Sequence, residues 1–589
     1  MKKRQTNLYV CATGAGLTLF LSPAAMAQGP SFVQIDEQDH AFTSFVPAED
    51  NYVGRHSLMS GGVSVGDFNN DGWQDMYLPG GGTQPDQLLI NMGDGTFENQ
   101  AAAWGVDRSI TAMGSAVGDI NRDGYPDLYV ASFGKGDEMA AVGKCLLYLN
   151  RGPDEKGNFS FEEIGEQAGV NYILDQVIDG TGATFGDVDP DGHMDLVVSA
   201  WARHSFSTRI YRNLGDNTFE DITLQVMPDT GWMRGFTPKL IDLNGDRYPE
   251  LLLANDFGQS RLFINDGKDE QGNISFQDAT DIANISEDCN GMGASVADFN
   301  GDGLLDWFIT NIYIPEEDCG NTLFYNSGFD ESGIPLYSNQ ATESGVADSG
   351  WGWGTTAGDY DNDGDPDIVT TSGYSNVPLV DTRLFLNDGT GSFADNATEA
   401  GLGFQIRGRG MAQLDYDNDG DLDLVFVEEP GPTRIYRNDT DNGNHWLRLK
   451  LITRYNKCLA PMGTGTRVTA YAGDSVQVQV LASPTTYLGQ SEMMIHFGFA
   501  DNEVVERLEF EWADGRTTIM TDVQTNQILD VVVYHPADLT RDENINLQDI
   551  FAYLALFNAQ DLAADTDENG SIDFDDVTGF IDVFVSGCP

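Results

Sequence analysis

Carboxylates two residues apart converge on one point when the backbone turns tightly, and this 589-residue sequence sets them so in seven loops. The pattern is Asp-x-(Asn/Asp)-x-Asp-x-x-x-(Asp/Glu). The first loop offers Asp67, Asn69, Asp71, Trp73 and Asp75, and the second Asp119, Asn121, Asp123, Tyr125 and Asp127. The third offers Asp187, Asp189, Asp191, His193 and Asp195, and the fourth Asp242, Asn244, Asp246 and Glu250. The fifth offers Asp298, Asn300, Asp302, Leu304 and Asp306. The sixth has Asp359, Asp361, Asp363, Asp365 and Asp367, and the seventh Asp415, Asp417, Asp419, Asp421 and Asp423. Hard oxygens converging in this way suit Ca²⁺, the cofactor expected here. His193, in the seventh position of its loop, is expected to turn its backbone carbonyl rather than its ring to the metal. Gly in the sixth position of six copies permits the sharp turn. The fourth loop carries Arg247 there and ends in Glu250, so it is expected to be the weakest or empty one. Residues 359–367 and 415–423, with five carboxylates each, are expected to be the tightest.

The elements that position these loops repeat with them. A run of small residues leads in, a β-rich stretch follows, a third strand ends in Asn, and an aromatic-acidic strand closes the unit. Loop starts lie 52 to 68 residues apart, which fits a four-stranded propeller blade better than a solenoid turn. These units resemble the FG-GAP (VCBS-type) repeats of the integrin α-subunit head. The resemblance implies a mainly β fold with a seven-bladed propeller over 28–444 and calcium in loops at one face. The seventh unit runs from RIYRN into NHWLRLKL without a closing strand, and Phe32 to Val46 has the composition to supply it.

Residues 445–535 contain no such loop and read as alternating strands. NHWLRLKL, GTGTRVTAYAG, SEMMIHFGFAD and VERLEFEWADG resemble the ASPIC/UnbV domain, with a departure at Pro461-Met462-Gly463-Thr464. Residues 536–589 hold two loops of EF-hand spacing. Asp538, Thr540, Asp542, Asn544, Asn546 and Asp549 form the first, and Asp565, Asp567, Asn569, Ser571, Asp573 and Asp576 the second. An apolar helix is expected after each, carrying Ile550, Phe551, Leu554 and Phe557, then Phe580, Val583 and Phe584. This duplicated pattern, with Gly587-Cys588 near its end, resembles a dockerin, and Glu543 replaces the expected turn Gly of the first loop. The resemblance implies a small α-helical calcium module and a cohesin-like or envelope partner.

MKKR, an apolar stretch and Ala25-Met26-Ala27 read as a cleaved secretory signal over 1–27, so the protein is expected outside the cell. A formal charge of −62 excludes gripping nucleic acid through phosphate neutralisation. No later stretch reaches the eighteen or so apolar residues of a membrane helix. Cys289 and Cys319 flank the fifth loop; a disulfide between them and two unpaired thiols both remain open. Gly62-Val63-Ser64-Val65-Gly66 matches a nucleophile elbow as text. In register with the other repeats, though, Ser64 is a small residue of an innermost strand. Trp351 and Trp353 can line a sugar-binding surface or the central channel, or pack between blades, and packing between blades is favoured. Three function classes stand: a non-enzymatic propeller binding an extracellular protein or glycan, an exported polysaccharide-degrading enzyme, and a structural envelope or matrix protein. The first leads.

Overall fold

The computed structural model describes residues 29–35, 59–82, 84–135, 144–171, 177–229, 231–286, 288–317, 319–374, 377–429, 431–566 and 571–586. The signal segment 1–27, the rest of the closing segment at 36–46, Asp567, Asn569, Gly587 and Cys588 lie outside them.

The described chain is mainly β. Each of the first six repeats forms a four-stranded antiparallel unit in chain order, as in Ser64–Gly66, Asp75–Leu78, Gln87–Asn91 and Phe97–Asn99, and the seventh contributes three strands. Seven such units, consistent with propeller blades, occur among the described residues. The small-residue runs have a physical cause, because innermost strands of neighbouring units approach at backbone distance. A Cβ on Gly182 of the third unit would lie 2.0 Å from Phe236 O of the fourth. One on Gly410 of the seventh would lie 2.4 Å from Gly61 O of the first. Gly410 N also donates to Gly61 O at 2.9 Å, so the last unit abuts the first.

The closing strand lies where the sequence places its start. Phe32–Gln34 pairs antiparallel with Thr433–Asn438, Phe32 opposite Asn438, and gives the seventh unit its fourth strand. Pairing the two ends of the repeat region in this way covers the edge that Thr433–Asn438 would otherwise expose.

The second domain has two sheets around a core that includes Leu447, Val468, Phe497, Phe510 and Trp512. Its Trp446–Ile452 strand runs parallel to Gln527–Val532 and antiparallel to Ile495–Gly498. The sequence suggests a separate neighbour; the structure shows an insertion. A hairpin, Thr485–Thr486 with Gly489–Gln490, enters the centre of the repeat units, with Gln490 paired in parallel to Ser64. Gln490 mimics a strand edge through its side chain: Val117 N donates to its Oε1 at 3.0 Å and its Nε2 donates to Val117 O at 3.1 Å. Lys239 Nζ, pushed down to about 7 by burial, donates to Thr485 O at 2.5 Å. At the tip, buried Tyr487 meets Phe236 and Trp353 with ring centroids 5.3 and 5.2 Å away. Trp353 thus packs at the centre of the repeat units against the inserted hairpin rather than between blades, and Trp351 stacks on Tyr374 at 4.4 Å. Ser64 is fully buried and its Oγ lies 2.7 Å from Ser115 Oγ, so it is no nucleophile elbow.

The C-terminal segment holds the helices Leu547–Ala559 and Phe574–Ser586, packed through stacked Tyr553 and Phe580 rings 4.1 Å apart. No helix among the described residues is long and apolar enough to cross a membrane. Cys289 and Cys319 are bonded.

Phe32 is buried and packs edge-on against Tyr360. Phe32→Ala should lower unfolding free energy by about 3–5 kcal/mol, measured by denaturant titration. A change under about 1 kcal/mol would mean that the closing strand does not hold the ring.

Candidate metal centres

All regular loops fold by one scheme. The first-position carboxylate accepts two backbone N–H groups: Asp187 Oδ1 from Asp191 at 3.1 Å and Oδ2 from Gly192 at 2.8 Å. Asp67, Asp119, Asp298, Asp359 and Asp415 do the same in their own loops. This wrap needs left-handed backbone at positions four and six, as at Asn362 (φ +56°) and Gly364 (φ +103°). Asn and Gly reach that region at least cost, which accounts for Asn70, Gly301, Asn362 and Asn418 at a position that the motif leaves open.

The ninth-position carboxylate braces loop to sheet. Asp195 accepts from Val188 N at 2.8 Å and from Asn213 N, at the end of the third strand, at 2.7 Å. Asp75, Asp127, Asp306, Asp367 and Asp423 repeat the pair. The same Asn then crosses to the preceding unit. Asn150 Nδ2 donates to Phe68 O at 2.9 Å, Asn213 to Ile120 O at 3.0 Å, and Asn265 to Val188 O at 2.8 Å. Asn387 and Asn438 continue the series, and Asn91 closes it on Tyr416 O at 2.8 Å. The recurring Asn is visible in the sequence, but its partner sits in another unit, so its role was not. In the fifth unit Asn326 Nδ2 is buried without a hydrogen-bond partner. By the pattern it would face Leu243, in the irregular fourth loop.

Positions one, three and nine bring three carboxylates together in three loops. In Asp187/Asp189/Asp195, Asp359/Asp361/Asp367 and Asp415/Asp417/Asp423 one oxygen from each residue lies within 4.8 Å of the others. Position five turns back on its own loop instead: Asp71, Asp123, Asp191, Asp246 and Asp302 each accept from the seventh-position N–H at 2.8–2.9 Å. Asp365 and Asp421, at position seven, donate their own N–H groups to Asp363 and Asp419. Where position three is Asn, the amide oxygen of Asn69, Asn121, Asn244 or Asn300 accepts from the fifth-position N–H. The rings of Trp73, Tyr125 and His193 pack against glycines of the next hairpin, Gly93, Gly152 and Gly215. An all-oxygen, mainly carboxylate donor set fits calcium and does not fit zinc.

Burial and mutual repulsion oppose ionisation of these groups with no cation among them. Burial first, then the neighbouring carboxylates, raises Asp187 and Asp306 to about 8 and Asp361 to about 7. Burial with the Asp123 charge raises Asp119 to about 6. A divalent cation inverts that balance.

The second domain supplies charges that local sequence does not reveal. Its strand Trp446–Ile452 points Arg448 at Asp415 Oδ2 (2.6 Å) and Glu492 Oε2 (2.6 Å), all three side chains being buried, and Lys450 at Asp67 Oδ2 (3.2 Å). A guanidinium on Asp415 repels a second cation, so of the two loops expected to be tightest only 359–367 keeps its carboxylates clear of an ion pair among the described residues. In the fourth loop Glu250 keeps the loop half of the brace, accepting from Leu243 N at 2.7 Å, and Arg247 keeps the turn at φ +76°. The Arg247 guanidinium lies against Gly515 of the second domain.

The first C-terminal loop repeats the wrap. Asp538 accepts from Asp542 N and Glu543 N, and Glu543 adopts φ +67° in place of Gly. Asn544 N donates to Asp542, and Asp549 accepts from Thr540 N and Asn546 N. In the second, Asp576 accepts from Thr566 N and Asp573 N at 2.7 Å each.

The raised carboxyls set a pH signature. Their folded values lie above the unfolded value near 4, so without metal they contribute stability below that pH which is lost as pH climbs through about 6–8. Chelated protein should therefore melt lower at pH 8 than at pH 6. Calcium should raise the melt more at pH 8, because the ligand is the ionised form. Thermal melts at both pH values decide it; indifference to chelator at pH 8 would contradict the assignment.

Residues 67–130 and 242–309 match the model of the FG-GAP-like repeat, and residues 459–536 that of ASPIC and UnbV. Cartilage acidic protein 1 of Xenopus tropicalis is 22% identical over 566 residues, covering 91% of this chain and 72% of its own. Integrin alpha-6 of Gallus gallus is 31% identical over 148 residues, 23% of this chain and 12% of its own. The crystal structure of the V. cholerae biofilm matrix protein Bap1 aligns with 82% of this chain and 62% of its own at 13% identity, with a TM-score of 0.24. The chain is thus an FG-GAP-like repeat protein with an ASPIC and UnbV domain, related along most of its length to cartilage acidic protein 1.

Proposed function

We propose that this is a secreted, calcium-stabilised seven-bladed propeller that binds an extracellular protein or glycan, and that residues 536–589 dock or anchor it. The carrying observation is the trio of carboxylate triads in the loops of the third, sixth and seventh repeat units, each braced into its sheet. Extracellular calcium modules bind with Kd of about 10⁻⁴ to 10⁻³ M. At millimolar calcium each site then adds about 0.4–1.4 kcal/mol to the folded state. Such sites are filled outside the cell, where calcium is plentiful, and the Cys289–Cys319 disulfide fits an oxidising compartment. Likeness to cartilage acidic protein 1 and to integrin alpha-6 supports the same reading.

The docking part rests on the C-terminal helices. Phe580 is buried, and Ile550, Phe557, Val583 and Phe584 pack around the Tyr553 core. Phe551 (69% exposed), Phe574 (76%) and Val585 (77%) remain outside it. Such a face suits a cohesin-like or envelope partner.

Full-length tagged protein, incubated with the producing organism's envelope and secreted fractions, should retain a protein or glycan in calcium and release it in EGTA. Identical recovery under both conditions would contradict a calcium-held binding surface. Turnover of a polysaccharide panel would favour the exported enzyme instead.

A further inference from the structure

Between the second domain and the first two loops lies a cavity of about 490 Å³. Pockets for small organic molecules span about 300–1,000 Å³ and favour domain interfaces. Three methionines of the second domain, Met462, Met493 and Met494, line it, with Tyr534 beside them and Tyr125 of the second loop opposite. Unbranched thioethers and tyrosine rings make an adaptable apolar wall suited to a flat or branched body. Met462 belongs to the stretch 461–464, which turns at the edge of the wall with Met462 itself at φ +59°.

The charged groups in the wall are unequal. Lys450 is committed to Asp67 at 3.2 Å. Asp119 is turned into its own loop, accepting from Asp123 N and Gly124 N. Arg454 also lines the cavity, and its guanidinium lies over the Tyr455 ring at 4.8 Å and donates to Tyr455 Oη at 2.7 Å. It has no carboxylate within ion-pair distance among the described residues, in a chain of 93 acidic and 31 basic residues. A partly buried guanidinium held by an aromatic face, with donors left over, recognises a planar oxyanion.

We propose that this cavity binds a small amphipathic organic anion, a carboxylate on an aromatic or branched apolar body, with the head on Arg454 and the body among the methionines. The proposal rests on the lining of this cavity and not on the binding function proposed above. Calorimetric titration of the full chain with 2-naphthoate and with the neutral 2-naphthalenemethanol tests it. Naphthoate should bind at one site, about tenfold or more tighter than the alcohol. Arg454→Gln should erase that preference while leaving alcohol binding in place. Val532→Trp, at the rim, should fill the cavity and weaken both ligands while the calcium-dependent melt stays as in the parent. Absence of naphthoate binding, equal affinity for the two ligands, or naphthoate affinity unchanged by Arg454→Gln would overturn the proposal. The last outcome decides it even if Val532→Trp fails to fold.

Discussion

Everything in this protein answers to one electrostatic constraint: carboxylates are driven together in places where water cannot solvate them. Asp187, Asp359 and Asp423 are at least nine-tenths shielded from solvent, and each faces other acids in its loop. An isolated buried carboxylate costs far more than a domain's net stability unless it is protonated, paired or coordinated. The chain uses backbone N–H groups to hold each first and ninth carboxylate in position, and those bonds orient oxygens without cancelling charge. Cancellation is left to a cation: the Arg448 guanidinium at Asp415, the Lys450 ammonium at Asp67, and calcium at the clearer loops.

Because the ninth carboxylate also braces the third strand, metal site and sheet share one hydrogen-bond system. From Asp195 the path runs to Asn213, and from Asn213 to Ile120 O of the preceding unit. A change at one site is thereby felt at the seam beside it. The seam between the fourth and fifth units lacks that bond at Asn326, next to the one loop with Glu at its end and Arg at its turn. There the second domain contributes instead: Val480 and Ala482 pack against a core shared by Ile241 and Leu305, and Lys239 of the fourth unit reaches Thr485 O. The second domain behaves as a keystone as much as an appendage.

How much of this was legible in the sequence follows from the range of each interaction. The loops, their turn glycines and the strand alternation are local, and the motif spacing carries them. The start of the closing strand was legible because the seventh unit visibly lacked one, and Phe32–Gln34 fills that place. Arg448 on Asp415, Gln490 on Val117 and the Asn bridges join residues 33 to 373 positions apart. Neither a period nor a spacing announces such pairs. Met462 is an intermediate case: its departure from pattern could be read, and its place in a cavity wall could not.

The central claim is that calcium resolves the buried charge. Crystals grown in millimolar calcium should show anomalous scattering density at the centre of the Asp359/Asp361/Asp367 and Asp187/Asp189/Asp195 clusters, with carboxylate oxygens at about 2.3–2.6 Å. Water, a protonated carboxyl pair or a repositioned basic side chain at those centres, with no anomalous signal, would contradict the account.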